Sequence, residues 1–123
     1  MVTRTVRERG SVTAELAVVL PAVVLVALLG IWSLTAVAVH VRCLDAARSG
    51  ARALARGEPA TAVVAVAHEA APAGASVRTR AVDGGLAAVE VQVRVGVPGP
   101  WGRDGPGLTV GGRVVAQPEG TGW

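Results

Sequence analysis

The sequence predicts an α+β protein: a long N-terminal transmembrane helix that extends into an amphipathic helix, then a short helix and a small three-stranded antiparallel sheet. Three observations predict this class: a long uncharged run near the N-terminus, helical spacing of charges after it, and alternating valines in the last third. The predicted organisation is a leader at 1–10, a transmembrane helix at 11–41, an amphipathic extension at 42–57 and a small α+β head at 58–123 with a flexible tail.

The membrane helix rests on the run from Leu16 to Val41, which holds 26 residues without a formally charged side chain. About 20 helical residues suffice to cross a hydrocarbon core, and the backbone there must be helical because lipid offers no hydrogen-bond partners. A conventional signal peptide has an apolar core of only about 7 to 15 residues. Because Ala36-Val37-Ala38 matches a small-x-small cleavage pattern, release after Ala38 stays an open alternative.

After this run, charged residues recur every three or four positions, which is the spacing of one helix face. The charged set is Asp45, Arg48, Arg52 and Arg56, and the opposite set is Leu44, Ala47, Ala51 and Leu54. Gly57 is placed to end this helix. A second helix is predicted from about Ala60 to Ala71, with Pro72 as its stop.

In the last third of the sequence the spacing of apolar residues changes from helical to alternating, and this change predicts the strands. Alternate positions from Val89 to Val97 are all valine, the pattern of a strand with one buried face. A preceding strand, Ser76 to Val82, is joined to it by Asp83-Gly84-Gly85, residues suited to a hairpin. Leu108 to Ala116 reads as a third strand weakened by Gly111-Gly112, after a loop rich in Pro and Gly, and the tail from 117 to 123 is predicted to fray.

The amino-acid composition argues against most catalytic and ligand-binding functions. The chain has no Phe or Tyr, which disfavours a deep ligand pocket, and its twelve basic residues are all Arg, which removes a lysine nucleophile. The net charge of +3 is spread along the chain, so no dense patch for nucleic acid appears. His40 and His68 have no partners at zinc-ligand spacing, and neither a catalytic triad nor a phosphate loop is visible. We therefore expect no catalytic residue, metal, cofactor, nucleic acid or small-molecule substrate.

The order of residues at the N-terminus is distinctive: a basic leader, Gly10, four residues, Glu15, and then the uncharged run at once. A carboxylate at the edge of a membrane span costs free energy unless it reaches water or a partner. Glu15 by itself is explained by snorkelling to the headgroups or by the dipole of a helix start. Together with Gly10 and the basic leader, it resembles the type III signal of prepilins, in which a membrane peptidase cuts after the Gly.

A closer resemblance covers about residues 9 to 58. RGSVTAELAVVLPAVVLVALLGIWSL followed by VRCLDAARSGARALARGE resembles the TadE-like family of tight-adherence (Flp) type IV pilus minor pilins, of the type found in actinobacteria. The chain departs from the usual pattern at Leu16, where the family usually has Tyr.

This resemblance implies a minor pilin or pseudopilin that a prepilin peptidase cleaves between Gly10 and Ser11. Glu15 would then be the fifth residue, serving peptidase recognition or assembly by neutralising the terminal amine of a neighbouring subunit. The implied partners are the membrane, the prepilin peptidase, other pilin subunits and Tad assembly proteins. The implied location is the cytoplasmic membrane, with a cytoplasmic N-terminus and the head outside, or a surface pilus used in adhesion. Flanking Arg residues are nearly balanced, so this orientation depends on the resemblance.

Two further sites and two rival functions stay open. Cys43 is a candidate for an intermolecular disulfide, or an unpaired thiol near the headgroups, since a lone cysteine cannot form an intramolecular bond. Arg48, Arg52 and Arg56 either contact lipid or another subunit, or form a solvated helix face. The rivals are an uncleaved membrane scaffold of a secretion or pilus-assembly machine and a small secreted binding module released after Ala38.

Overall fold

The computed structural model describes residues 2–117, with side chains from residue 9 onward, and divides into two compact units, Met1–Leu34 and Thr35–Trp123. We call them the N-terminal unit and the C-terminal unit. The elements in chain order are α1 (Val2–Ala55), α2 (Ala60–Ala70), β1 (Ser76–Val82), β2 (Leu86–Gly96), a single 3-10 turn (Gly102–Asp104) and β3 (Gly107–Ala116). The predicted α+β class and the order of its elements are confirmed. The predicted frayed tail falls outside the described residues, apart from Gln117.

Helix α1 is continuous over 54 residues and includes Pro21. The hydroxyls of Thr13 and Ser33 donate to the carbonyls of Arg9 and Leu29, four residues earlier, at 2.8 and 2.7 Å. Such back-bonding keeps a hydroxyl satisfied on an apolar helix. The leader from residue 2, the uncharged run and the amphipathic extension thus form one helix. The boundaries assigned to them as separate segments stay a prediction.

Gly57 ends this helical region as predicted. Its φ is +78°, which glycine adopts without steric cost. Its N–H donates to the Leu54 carbonyl at 2.9 Å, and the Glu58 N–H donates to the Ala53 carbonyl at 3.2 Å. This pair of bonds is the Schellman arrangement, which satisfies carbonyls that the helix end leaves free. Helix α2 then begins after Pro59.

The sheet is an antiparallel meander in the order β1-β2-β3. Its first hairpin turns at Asp83-Gly84-Gly85, with Val82 paired to Leu86 and both glycines at positive φ. In the second pair, Val89 lies opposite Val114 and Gly96 opposite Gly107. The three strands and the predicted hairpin are confirmed.

The core of the C-terminal unit lies between the valine face of the sheet, the end of α1 and α2. It consists almost entirely of small residues: Cys43, Ala46, Ala47, Ala51, Ala53, Val63, Ala67, Ala75, Val89 and Val91. Helix α1 therefore lies very close to the strands. A Cβ added at Gly112 would sit 2.7 Å from the backbone N and Cα of Leu44, and one at Gly50 would sit 2.9 Å from Cγ1 of Val89. The glycine predicted to weaken β3 is thus the one that lets the helix approach.

This close approach also corrects the predicted buried face of the amphipathic extension. Ala47 and Ala51 are buried as expected, but Leu44 and Leu54 are only half-buried. The fully buried positions that the pattern missed are Cys43, Ala46 and Ala53. Small side chains occupy the narrow centre of the interface because a leucine there would hold the helix away from Gly112.

Candidate functional site

The first candidate site is the apolar surface of the N-terminal unit. Its large aliphatic side chains are between 51% and 74% exposed. They are Val12, Leu16, Val18, Val19, Leu20, Val23, Val24, Leu25, Val26, Leu28, Leu29, Ile31 and Leu34. Within the described residues this segment belongs to the one helix long and apolar enough to cross a membrane. Because apolar area in water costs about 25 cal/mol per Å², a surface of this extent requires lipid or other apolar helices around it.

The predicted processing residues lie at the start of this surface. Gly10 and Ser11 are exposed on α1, and open space surrounds the position where a Gly10 side chain would be. Glu15 is exposed four residues after Ser11, so the two lie on the same helix face, one turn apart. Val18 and Val19 continue this face. Cleavage after Gly10 stays a prediction.

Cys43 lies outside the uncharged run and is completely buried in the core of the C-terminal unit. Burial raises the pKa of its thiol, and the neighbouring Arg42 guanidinium opposes this only in part. A buried thiol with a raised pKa is a poor nucleophile. Within the described residues the thiol of Cys43 is therefore free and covered by the C-terminal unit itself. An intermolecular disulfide stays a prediction, and it would require α1 to separate from the sheet.

The arginine stripe is exposed as predicted, and each side chain has a partner close in sequence. Arg48 pairs with Asp45 at 3.1 Å, and Arg52 donates to the Ser49 hydroxyl at 3.3 Å. Arg56 donates to Oε1 of Glu58 from both Nε and Nη2, at 2.9 and 2.8 Å. Exposed pairs of this kind contribute about 0 to 1 kcal/mol to stability. Contact of the stripe with lipid or another subunit stays a prediction.

The outer face of the sheet carries a small charged cluster. Arg113 lies 3.5 Å from Glu90, and Arg78 faces Glu90 from the other neighbouring strand. A shallow recess forms beside them, since Gly111 has no side chain opposite Gln92. His40 and His68 are both exposed, and within residues 9–117 no three His, Cys, Asp or Glu side chains come together as a metal site.

The sequence pattern did not predict that side-chain hydrogen bonds hold the loop between β2 and β3 in a defined conformation. The Trp101 indole N–H donates to the Val97 carbonyl at 2.9 Å, and a side chain at Gly99 or Gly105 would collide with the indole ring. The Arg94 guanidinium donates to the carbonyls of Arg103, at 2.9 Å, and of Gly105. The available signal was a tryptophan surrounded by recurring glycines, which composition alone assigns only to a loop.

Comparison with known families identifies the N-terminal part of the chain. The family model described as TadE-like protein matches residues 10–52. This segment is TadE-like. No curated protein and no solved structure matches the chain significantly. The TadE-like segment begins at Gly10 and ends within α1, so α2 and the three strands lie outside the match.

The resemblance stated from the sequence is thus confirmed at the level of the family. The TadE-like family is a structural family of pilus proteins without enzymatic activity. The family match over residues 10–52, together with the one helix within residues 9–117 that is long and apolar enough to cross a membrane, indicates a membrane-associated, pilin-like segment of the kind found with Tad pili.

Proposed function

We propose that the protein is a minor pilin or pseudopilin of a Flp/Tad-type pilus, cleaved after Gly10 and assembled through the apolar surface of its N-terminal unit. One observation carries this proposal: an exposed aliphatic surface begins at Val12, beside Gly10, Ser11 and Glu15, within the TadE-like segment. Its role is structural, and it acts by packing beside other subunits.

The exposed aliphatic surface suits the subunit both in the membrane before assembly and in the pilus afterwards. Before assembly, lipid tails cover it. During assembly, the apolar stems of other pilins replace those tails, and lipid tails are as apolar as the side chains of the stem. The exchange therefore costs little free energy, and packing detail decides which neighbours associate. This is the behaviour required of a subunit that moves from a membrane into a fibre.

Glu15 supplies the specificity that an aliphatic surface lacks. Cleavage would create a positive ammonium group at Ser11, and the carboxylate of a neighbouring subunit's Glu15 would neutralise it inside the bundle. An ion pair in an apolar bundle offsets the desolvation of both groups only with good geometry. The pair would therefore fix the axial register between subunits more than it would add stability.

The leader lies in the cytoplasm and the C-terminal unit outside in this proposal, with a prepilin peptidase, other pilins and Tad assembly proteins as partners. A reporter fused after Trp123 tests the orientation, because an enzyme that is active only outside the membrane should be active there. Activity of a cytoplasmic reporter at the same position would contradict it.

The N-terminus of the mature protein decides between the proposal and its rivals. Mass spectrometry of protein extracted from native membranes should find Ser11 as the first residue. Met1 would instead indicate the uncleaved scaffold, and Val39 the secreted module. Release at Val39 would cut α1 between Ala38 and a side chain that packs against the core of the C-terminal unit.

The assembly role of Glu15 is tested separately by Glu15→Ala. We expect cleavage after Gly10 to continue and incorporation into pili to fall strongly, because the terminal ammonium loses its partner. Quantitative immunoblotting of sheared pili and membranes measures both. Glu69→Ala is the matched control, since Glu69 is an exposed carboxylate on α2. Normal incorporation of the Glu15 variant would refute the pairing.

A further inference from the structure

The sheet of the C-terminal unit has one face that both helices cover. A Cβ at Gly50 of α1 would lie 2.9 Å from Cγ1 of Val89 and 3.1 Å from Cβ of Ala67 on α2, so α1 and α2 pack on the valine face. Side chains alternate along a strand, and the neighbours of Val89, which are Ala88 and Glu90, therefore point to the opposite side. That side is the outer face of the sheet.

The outer face is basic. The strand registers place on it four arginines and one carboxylate, which are Arg78, Arg80, Arg94, Arg113 and Glu90. Arg113 forms an ion pair with Glu90 at 3.5 Å, and Arg94 donates to carbonyls of the β2–β3 loop. Within residues 9–117, Arg78 and Arg80 form neither a hydrogen bond nor an ion pair, and both are exposed. The two arginines of β1 thus have no fixed partner.

The acidic groups on the elements around β1 leave this excess of positive charge in place. Glu90 faces Arg78 from β2, but its ion pair is with Arg113. Asp83 lies in the hairpin that follows β1, and Glu69 is exposed on α2; in the described part of the chain neither forms an ion pair with an arginine of β1. The β2–β3 loop adds one charge of each sign, Arg103 and Asp104.

Strand β1 also has an unused backbone edge. In the order β1-β2-β3 it is paired on one side only, with β2. Alternate residues of an edge strand direct their N–H and C=O groups away from the neighbouring strand. Among the described residues no backbone hydrogen bond joins β1 to α2 or to any element other than β2. These backbone groups form a template for one further strand.

The two arginines of β1 match the side-chain repeat of such a strand. Arg78 and Arg80 are two residues apart, so they lie on the same face and are separated by about 7 Å along the strand. An extended peptide paired with β1 has the same repeat, and carboxylates at its alternate positions would face the two guanidinium groups. Because the planar guanidinium can bind a carboxylate through two parallel hydrogen bonds, this edge offers both backbone pairing and charge recognition to an acidic strand.

A second copy of this chain does not supply that strand. Pairing of β1 with another β1 would bring Arg78 and Arg80 against the same arginines, and like charges directly opposite each other are unfavourable. The other edge strand, β3, contains no acidic residue and adds Arg113. The arginines of β1 therefore oppose self-pairing and favour a partner of opposite charge.

We propose that the β1 edge binds an extended acidic segment of another protein. This segment adds a fourth strand to the sheet and places carboxylates at alternate positions beside Arg78 and Arg80. The interaction belongs to the C-terminal unit and goes beyond the proposed assembly through the N-terminal unit, on which it does not depend.

Fluorescent nine-residue peptides test the proposal on the full chain in nonionic detergent. The probe alternates glutamate with threonine. One control peptide has the same composition with its glutamates grouped together, and a second has glutamine in place of each glutamate. Fluorescence anisotropy at low ionic strength measures affinity, and amide hydrogen exchange shows which strand becomes protected.

The test variant is Arg78→Gln with Arg80→Gln. Its matched control is Arg48→Gln with Arg52→Gln, which removes the same charge from an exposed helix face. We expect the alternating probe to bind about tenfold more tightly than either control peptide and to slow exchange in β1 but not in β3. The test variant should lose about tenfold in affinity for the probe, and the control variant less than about twofold.

Equal binding of the grouped peptide, or unchanged exchange in β1, would show charge attraction without strand addition and would overturn the proposal. Equal losses in the two variants, or no binding of the alternating probe, would overturn it as well. Binding of polyphosphate that depends on Arg78 and Arg80 but leaves β1 unprotected would assign the face to a polyanion instead. The peptide comparison on the unchanged chain decides the proposal even where a variant fails to fold, and none of these outcomes bears on cleavage after Gly10.

Discussion

The two parts of helix α1 differ in the solvent exposure of their apolar residues. In the N-terminal unit the large side chains are exposed, as with Leu25 at 66% and Val26 at 70%. In the C-terminal unit the same helix buries Ala46, Ala47 and Ala53 completely. The largest aliphatic residues thus face outward, and the smallest form the core.

The difference lies in what each part packs against. A surface of leucine and valine suits a fluid or exchangeable neighbour, since large side chains gain apolar contact without a fixed partner shape. A surface of alanine and glycine suits a rigid neighbour that approaches closely, here the strand that contains Gly112. Side-chain size therefore distinguishes the exposed part of the helix from the part that packs in the core, although both are apolar.

The largest effect is expected from Gly112→Val. Its Cβ would lie 2.7 Å from the backbone of Leu44, and backbone atoms in a helix cannot easily move aside. We expect a loss of about 3 kcal/mol in the free energy of unfolding of the C-terminal unit, at the upper end for overpacking. Urea denaturation of the full chain in detergent, followed by circular dichroism, measures it.

Gly96→Val is the matched control, because Gly96 is also in a strand and a Cβ there meets no atom within 4 Å. We expect little change. Equal losses for the two variants would mean that strand glycines are required for some reason other than the approach of the helix.

An intermediate effect is expected from Val89→Ala, which removes two methyl groups from a fully buried side chain. The lost burial and the cavity together should lower the free energy of unfolding by about 2 kcal/mol. Val26→Ala, the same change on the exposed segment, should leave that free energy unaltered. A comparable loss from both would show that the N-terminal segment is part of the same folding core.

The smallest effect is expected from changing Arg48, Arg52 and Arg56 together to Gln. The three arginines are exposed and their partners are close in sequence, so the total loss of stability should stay below about 1 kcal/mol. We expect pilus incorporation to stay normal too, as for a solvated face. Reduced incorporation at unchanged stability, measured on the same preparation, would instead assign the stripe to a lipid or subunit contact.

Much of the fold could be predicted because it depends on local patterns. The alternation of valines predicted β2, the Asp83-Gly84-Gly85 turn predicted its hairpin, and Gly57 predicted the end of α1. The TadE-like region was visible from Gly10, Glu15 and the uncharged run, since these features are close in sequence.

The burial of Cys43 and the role of Gly112 were not predictable in this way. They are 69 residues apart in sequence and come together only when the helix packs on the sheet. The same holds for the bonds that Arg94 makes to the carbonyls of the next loop. Periodicity describes one face of one element and gives no information about the distance to the element it will meet.

The sequence by itself determined that this protein has one helix suited to a membrane, a processing-like order at Gly10 and Glu15, and a small α+β domain after them. These are properties of composition, order and local period. The tertiary structure alone decided which apolar residues of that helix are buried, since close packing selects alanine and glycine over leucine at the contact with β3.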